Sequence, residues 1–265
     1  LGVGLAAAAA DLPGVPVALV ELGSSAGLLL GIDRYAVELV APTGSVVLGD
    51  PSSPVRCSGT DRAGVGSQLR RRGLSLPTVA ARLGVDLEPV SLDDDEEVRW
   101  LEACLWADVP GRVERFRSAR DLLRPDPPRV LEGDMVRLLP QAVATALEDV
   151  ASAVATAHVV VLSSWALSYL TPEARRAMGE VVRDAAVALP ALSWVTAEPP
   201  GSAPGIEPPG VGPHEGAGTI VGLRRWRGGR ELAALRLGSC HPHGQWLDLD
   251  LGVDIARPIA PKNGS

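Results

Sequence analysis

One junction constrains this chain more than any other feature: the apolar run VALVEL at 17–22, the tight turn GSSAG at 23–27, and apolar residues at helical spacing over 28–37. A short, nearly continuous apolar run suits a strand buried on both faces, which is the environment of a parallel sheet covered by helices. Strand, turn and helix in that order open an α/β unit, and further units follow along the chain. GVDLEPVSL at 84–92 alternates apolar and polar side chains like a half-buried strand. The acids at 93–97 then open a helix near Glu96 that breaks at Pro110 and resumes to Leu123. RVLEG at 129–133 reads as a strand, 138–154 as a helix, and HVVVLS at 158–163 as a buried strand. Thr171 and Pro172 start a helix that runs to about Leu189, and LSWVTA at 192–197 returns to strand.

TIVGLRRW and ELAALRLG form an antiparallel hairpin across the turn at 227–230. SVVLGD at 45–50 reads as a hairpin arm, the Gly/Arg-rich stretch 59–73 takes no element, and the Pro/Gly-rich stretch 198–218 is a mobile loop or lid. Together these predict an α/β fold: a single Rossmann-like, doubly wound, mostly parallel sheet over 1–265 with a C-terminal antiparallel hairpin. Strand 17–22 is expected at its centre, between the strands near Asp86 and His158, with the hairpin at one edge and an insertion at about 37–78. With no initiator Met, the sequence is also read as a possible piece of a longer protein.

Charge narrows the function classes. The net charge of −7 and pI near 5.2 remove the general attraction that nucleic acids and anionic membranes exert, so neither is expected as a partner. Three unevenly spaced cysteines, Cys57, Cys104 and Cys240, argue against a disulfide framework and for a reducing compartment, the cytoplasm. The apolar opening 1–20 lacks a basic start and is broken by Asp11, Pro13, Gly14 and Pro16, so it reads as neither signal peptide nor membrane span.

Ligands of open parallel sheets bind at the carboxyl ends of strands, which directs attention to ELGSSAG at 21–27. Gly23 permits the turn, Gly27 permits close approach, and the amides around Ser24 and Ser25 face the loop as donors. The spacing G-x-x-x-G is not that of dinucleotide binders, and Glu21 would repel a pyrophosphate while suiting a cationic amino acid end. This favours S-adenosylmethionine over NAD. Two later strand-end acids extend the pattern: Asp86 for ribose hydroxyls and Asp134 for an adenine amino group. Each taken alone also reads as a helix N-cap.

ELGSSAG, GVDLEP, EGD and the block VVVLSSWALSYLTPEARRAM resemble the successive core motifs of class I S-adenosylmethionine-dependent methyltransferases over roughly 17–197. ELGSSAGLLLGIDRY, GDPSSPV, WLEACLW, SYLTPEAR and HGQWL are similar to an uncharacterised bacterial domain-of-unknown-function family over nearly the whole chain. The resemblance implies Glu21, Gly23, Ser24, Ser25 and Gly27 around the amino acid end of S-adenosylmethionine, Asp86 at the ribose and Asp134 at the adenine. It implies Ser163, Ser164 and Trp165 facing the methyl group, Glu198 or His243 as a base, and a small-molecule or protein acceptor. The insertion at 37–78 departs from the family pattern and makes Asp50 a rival for the ribose role.

Two other readings stand beside this one. GSSAG also matches G-x-S-x-G, the nucleophile elbow of α/β-hydrolases, with Ser25 as nucleophile, Glu198 as orienting acid and His241 or His243 as base. A Rossmann-like binding module without catalysis is the third. Cys240, His241 and His243 fall short of the four ligands of a structural zinc site. Of the six tryptophans, Trp100, Trp106, Trp194 and Trp226 are expected in the core, with Trp165 and Trp246 set apart.

Overall fold

The computed structural model describes residues 1–106, 109–150, 157–206 and 218–252. They build an α/β fold around one mostly parallel sheet of 11 strands. β1 (Val17–Leu22), every residue of which is buried as the apolar run requires, stands third from one edge of the sheet rather than at its centre, because the inserted and C-terminal strands all add to the other side. β1 pairs in parallel with β5 (Val79–Asp86) on one side and with β7 (His158–Ser164) on the other. β6 (Arg129–Glu132) extends the sheet beyond β5, and β8 (Ala191–Glu198) extends it beyond β7, both in parallel.

Alternation along β1 divides the core between the two faces. Val20 and Leu22 pack with Leu83, Val161 and Trp194 beneath α5 (Met135–Asp149) and α6 (Pro172–Val187). Val17 and Leu19 pack on the opposite face with α1 (Gly2–Ala9), whose glycine, alanine, leucine and valine side chains are almost all buried. The expected start of α6 holds: Thr171 Oγ1 accepts the Ala174 N–H at 3.2 Å, with Pro172 in the first turn. α3 (Asp95–Ala103) and α4 (Arg112–Leu123) occupy the segment expected to hold a broken helix.

Four expectations about the secondary elements are corrected. The helix over 28–37 is a 3-10 helix, Leu28–Arg34, after which Ala36 begins a strand. The strand expected at 84–92 lies earlier and ends at Asp86, because Asp86 and the residues after it turn onto the 23–27 loop. Stretch 59–73 is structured, carrying the end of β4 (Arg56–Asp61) and α2 (Val65–Arg71), with Asp61 accepting the Val65 and Gly66 amides at the start of α2.

The fourth correction is to the hairpin, β9 (Thr219–Arg227) and β10 (Arg230–Cys240), which lies inside the sheet. β9 joins β8 antiparallel, while the free side of β10 is taken by β11 (Trp246–Leu249). β11 pairs with β4, and β4 with β2 (Ala36–Ala41), so that β3 (Gly44–Gly49) forms the edge. The insertion therefore adds strands to the sheet. Of the expected core tryptophans, Trp194 and Trp226 are buried, whereas Trp100 and Trp106 are exposed. The expected loop 198–218 and helix 138–154 lie partly outside the described residues. Among the described residues, no helix is long and apolar enough to cross a membrane.

Candidate functional site

The winding of the sheet reverses between β1 and β7, and the loops leaving those strands meet there. The turn after β1 is tied to β5 by its own backbone. Gly23 and Ser24 donate their amides to Val85 O at 2.8 and 3.2 Å. Ser25 N–H donates to Asp86 Oδ2 at 2.7 Å, and Asp86 Oδ1 takes the Glu88 N–H at 3.0 Å. Gly23, Ser25 and Gly27 all adopt left-handed backbone, with φ of 70, 50 and 70°. Glycine at 23 also answers a close approach, since a Cβ there would fall 2.5 Å from that of Ala166 in the loop after β7. Gly84, the register partner of Glu21, leaves the space that the Ser24 hydroxyl fills.

Glu21 gives this turn its chemistry. Its carboxyl is 3% exposed, and Oε2 has no hydrogen-bond partner among the described residues. Burial first, and then the neighbouring Asp86 charge, hold it well above the usual carboxylate range. A group in this position is stable as a neutral acid or against a cation. The Ser24 hydroxyl, also buried, likewise lacks a partner among the described residues.

The ends of β7 and β8 form a second cluster. Glu198 is fully buried, and its Oε1 accepts the Ala166 and Leu167 amides at 3.1 and 3.2 Å, fastening the loop after β7 to the end of β8. Burial raises its pKa, and those amides oppose the shift. The buried Ser163 accepts the Trp194 indole N–H at 3.3 Å. Trp165 has φ of 53°, a conformation that strains a bulky residue, and is fixed by its indole N–H to Thr219 Oγ1 at 2.8 Å.

Beside this loop lies a cavity of about 310 Å³. Ser164 and Trp165 line it from β7, Leu29, Ile32 and Tyr35 from the 3-10 segment, Leu39 and Cys57 from the inserted strands, and Arg115 from α4. His241 and His243, in the β10–β11 turn, complete the rim with Trp246. The His243 ring lies 5.5 Å from that of Trp106, and the Arg62 guanidinium sits 4.0 Å over Trp246. Burial pushes the Tyr35 hydroxyl pKa upward, with Cys57 and Glu21 adding to it.

The structure thus gathers Glu21, Gly23, Ser24, Ser25, Gly27 and Asp86 at one turn. Ser163, Trp165 and Glu198 lie at the adjoining strand ends, joined to that turn through Ala166. Asp134 stands at the next strand end, exposed, where its Oδ1 caps α5 by accepting the Val136 and Arg137 amides at 2.9 and 3.0 Å. Asp50 caps its own turn through Ser52, after the edge strand, so the acid beside Glu21 is Asp86. Ser25 does not line the cavity that holds both histidines, and His241 Nδ1 instead accepts the His243 N–H at 3.1 Å. Among the described residues, no cluster of three or more His, Cys, Asp or Glu could hold a metal ion. Sequence reasoning assigned no site role to Tyr35, Cys57 or Arg115; the stretches ELGSSAGLLLGIDRY and HGQWL held part of this wall without marking it as one.

The model of a bacterial family described as "Uncharacterized protein conserved in bacteria (DUF2332)" matches residues 1–249. The chain belongs to DUF2332. No curated protein and no solved structure matches it. The matched span holds every element described above, including the inserted strands and β11, so the cavity wall is part of the DUF2332 domain.

Proposed function

We propose that this DUF2332 domain binds S-adenosylmethionine at the 21–27 turn and catalyses transfer of its methyl group to a small molecule in the adjoining cavity. The carrying observation is the unpartnered, buried Glu21 carboxyl, set beside Asp86 at the winding reversal of a parallel β6-β5-β1-β7-β8 core. Such a site calls for a cation, and the residues fit an ammonium at Glu21 and ribose hydroxyls at Asp86, whose oxygens keep lone pairs beyond the two amides they accept. Held at its amino acid end by Glu21 and at its ribose by Asp86, the cofactor would supply an electrophilic methyl carbon to a nucleophile in the cavity.

The chain's own part is positioning. Ala166 packs on Gly23 while its neighbours Ser164 and Trp165 line the cavity, so one loop touches both sites, and Glu198 holds that loop in place. In this reading Glu198 is a positioning residue and His243 the base candidate on the rim. Calorimetric titration with S-adenosylmethionine and S-adenosylhomocysteine tests the proposal. Saturable binding that weakens in Glu21→Gln supports it, and absence of binding by the folded protein overturns it.

The serine-esterase reading has one observation in its favour, the left-handed backbone of Ser25. Against it, Ser25 does not line the cavity that His241 and His243 line, and Glu198 is engaged by the Ala166 and Leu167 amides.

A further inference from the structure

Among the described residues, the cavity wall holds a side-chain charge without a partner. On α4, Arg117 pairs with Glu102 and Arg120 with Asp121, but Arg115, which lines the cavity, has no hydrogen-bond or ion-pair partner among the described residues. The acid among the cavity's lining residues is already engaged: Glu38 accepts the Ser58 hydroxyl at 2.8 Å and lies 3.5 Å from the Arg56 guanidinium. The field of Arg115 reaches across the cavity wall to Cys57 on β4, where it opposes the upward push of burial on the thiol.

A second donor is set by geometry. Because His241 Nδ1 accepts the His243 amide at 3.1 Å, a neutral His241 carries its proton on Nε2 and presents an N–H donor at the cavity rim. Most of the remaining wall is apolar, with Leu29, Ile32, Leu39, Val221, Leu247 and Leu249 in it. At about 310 Å³ the space is at the small end of ligand sites, which run from about 300 to 1,000 Å³.

We infer that the cavity takes a small apolar monocarboxylate, its carboxylate on the Arg115 guanidinium with His241 as a second donor and its hydrocarbon body along the leucine and isoleucine wall. A planar guanidinium matches a carboxylate with two parallel hydrogen bonds, and the apolar lining rejects a second charge. The role of this ligand as methyl acceptor rests on the methyl-transfer reading; its binding does not.

The test uses the full chain without cofactor and compares octanoate, octanol and octylamine, read by calorimetry and by fluorescence of the cavity tryptophans. Octanoate is expected to bind at least about tenfold more tightly than either analogue. Arg115→Met, checked for an unchanged melting temperature, is expected to lose that preference while octanol binding stays the same. Equal binding of octanoate and octanol, no binding of octanoate, or an unchanged preference in folded Arg115→Met would each overturn the inference. His241→Gln reports on the second donor: a glutamine amide can still donate, so a modest loss is expected, against a larger one in His241→Leu. Octanoate binding without any S-adenosylmethionine binding would sink the methyl-transfer reading and leave this one standing.

Discussion

The two halves of the sheet obey different rules. From β6 through β8 the strands are parallel and connected through helices, and β1, β7 and β8 are covered on both faces. From β9 to β3 they are mixed in direction, and several are half exposed: β3 has one buried residue and β4 two, the rest being exposed or partly buried. The first half carries the turn with the unpartnered acid, the second the apolar wall of the cavity. Chemistry and ligand selection are thus assigned to regions held together by different forces. Burial on two faces stabilises the parallel half, whereas β4 and β2 reach the rest of the sheet only through the four residues of β11.

The largest expected effect tests that separation. Trp194→Ala removes a fully buried indole from beneath α6 and should cost about 3–5 kcal/mol of global stability in denaturant unfolding. Leu249→Ala, in β11, should cost about 2–4 kcal/mol with a local signature. Amide exchange should accelerate in β2 and β4 while β1, β5 and β7 keep their protection. Uniform acceleration across all five strands would show that the halves unfold as one unit.

The same contrast explains what could be read in advance. VALVEL, HVVVLS and LSWVTA announce themselves because a strand buried on both faces must be apolar throughout, and their ends were placed within a residue or two. β4, RCSGTD, and β11, WLDL, are short and partly exposed, so no apolar period marks them; their pairing is a tertiary event between residues 186 positions apart. The hairpin was assigned to an edge because nothing local shows that β11 will cover β10. Glu21, Gly23 and Asp86 were legible as strand-end residues, and the structure does bring them together. Arg115 was not, since a helix arginine in a chain rich in arginine carries no signal until its neighbours are known. Trp100 and Trp106 misled because tryptophan is usually buried, and here Trp100 lies on the exposed face of α3 and Trp106, just beyond that helix, is exposed as well.

A smaller effect separates binding from stability at the turn. Glu21→Gln should weaken S-adenosylmethionine at least about tenfold, as expected for loss of a charged hydrogen bond, yet raise stability at neutral and alkaline pH. The folded-state pKa of Glu21 lies above its unfolded value, so its favourable contribution is present below about 4.5. That contribution is lost as pH rises toward the folded value. The wild type should therefore lose stability relative to the variant across this window, by at most about 1.4 kcal/mol per pH unit. A variant that is both less stable at pH 8 and unchanged in affinity would remove Glu21 from the site.

His158 gives the opposite sign at the other end of the sheet. It is fully buried at the start of β7, with Nε2 2.8 Å from Ser193 Oγ. Burial, then Arg227 and Arg225 of β9, push its pKa down to about 3. Because the unfolded chain binds a proton near 6.5 and the native state does not, stability should fall as pH drops below about 6.5, by up to about 1.4 kcal/mol per unit. Denaturant unfolding of the wild type and His158→Gln at pH 7.5, 6 and 5 isolates this slope. Parallel curves for the two proteins would refute the assignment. The result also reports on the seam, since two of the groups that depress this histidine belong to the antiparallel half.

The smallest effect decides between the two chemistries proposed for one serine. The Ser25 amide is committed to Asp86, and its left-handed backbone follows from the turn that this bond closes. If the hydroxyl merely adds a hydrogen bond to a bound cofactor, Ser25→Ala should reduce S-adenosylmethionine affinity by about 0.5–1.5 kcal/mol and leave the fold intact. Alanine carries the same β-carbon, so the backbone at φ 50° is no worse served by it. If the hydroxyl is instead a nucleophile, an imidazole must come within about 2.6–3.2 Å of it, and an acid must orient that imidazole. His241 has its Nδ1 turned to the His243 amide, and Glu198 has its Oε1 on the loop after β7. A fluorophosphonate probe should accordingly leave the wild-type protein unlabelled. Labelling that disappears in Ser25→Ala would transfer the turn from cofactor binding to acyl chemistry, and the Glu21 carboxyl would then need another explanation.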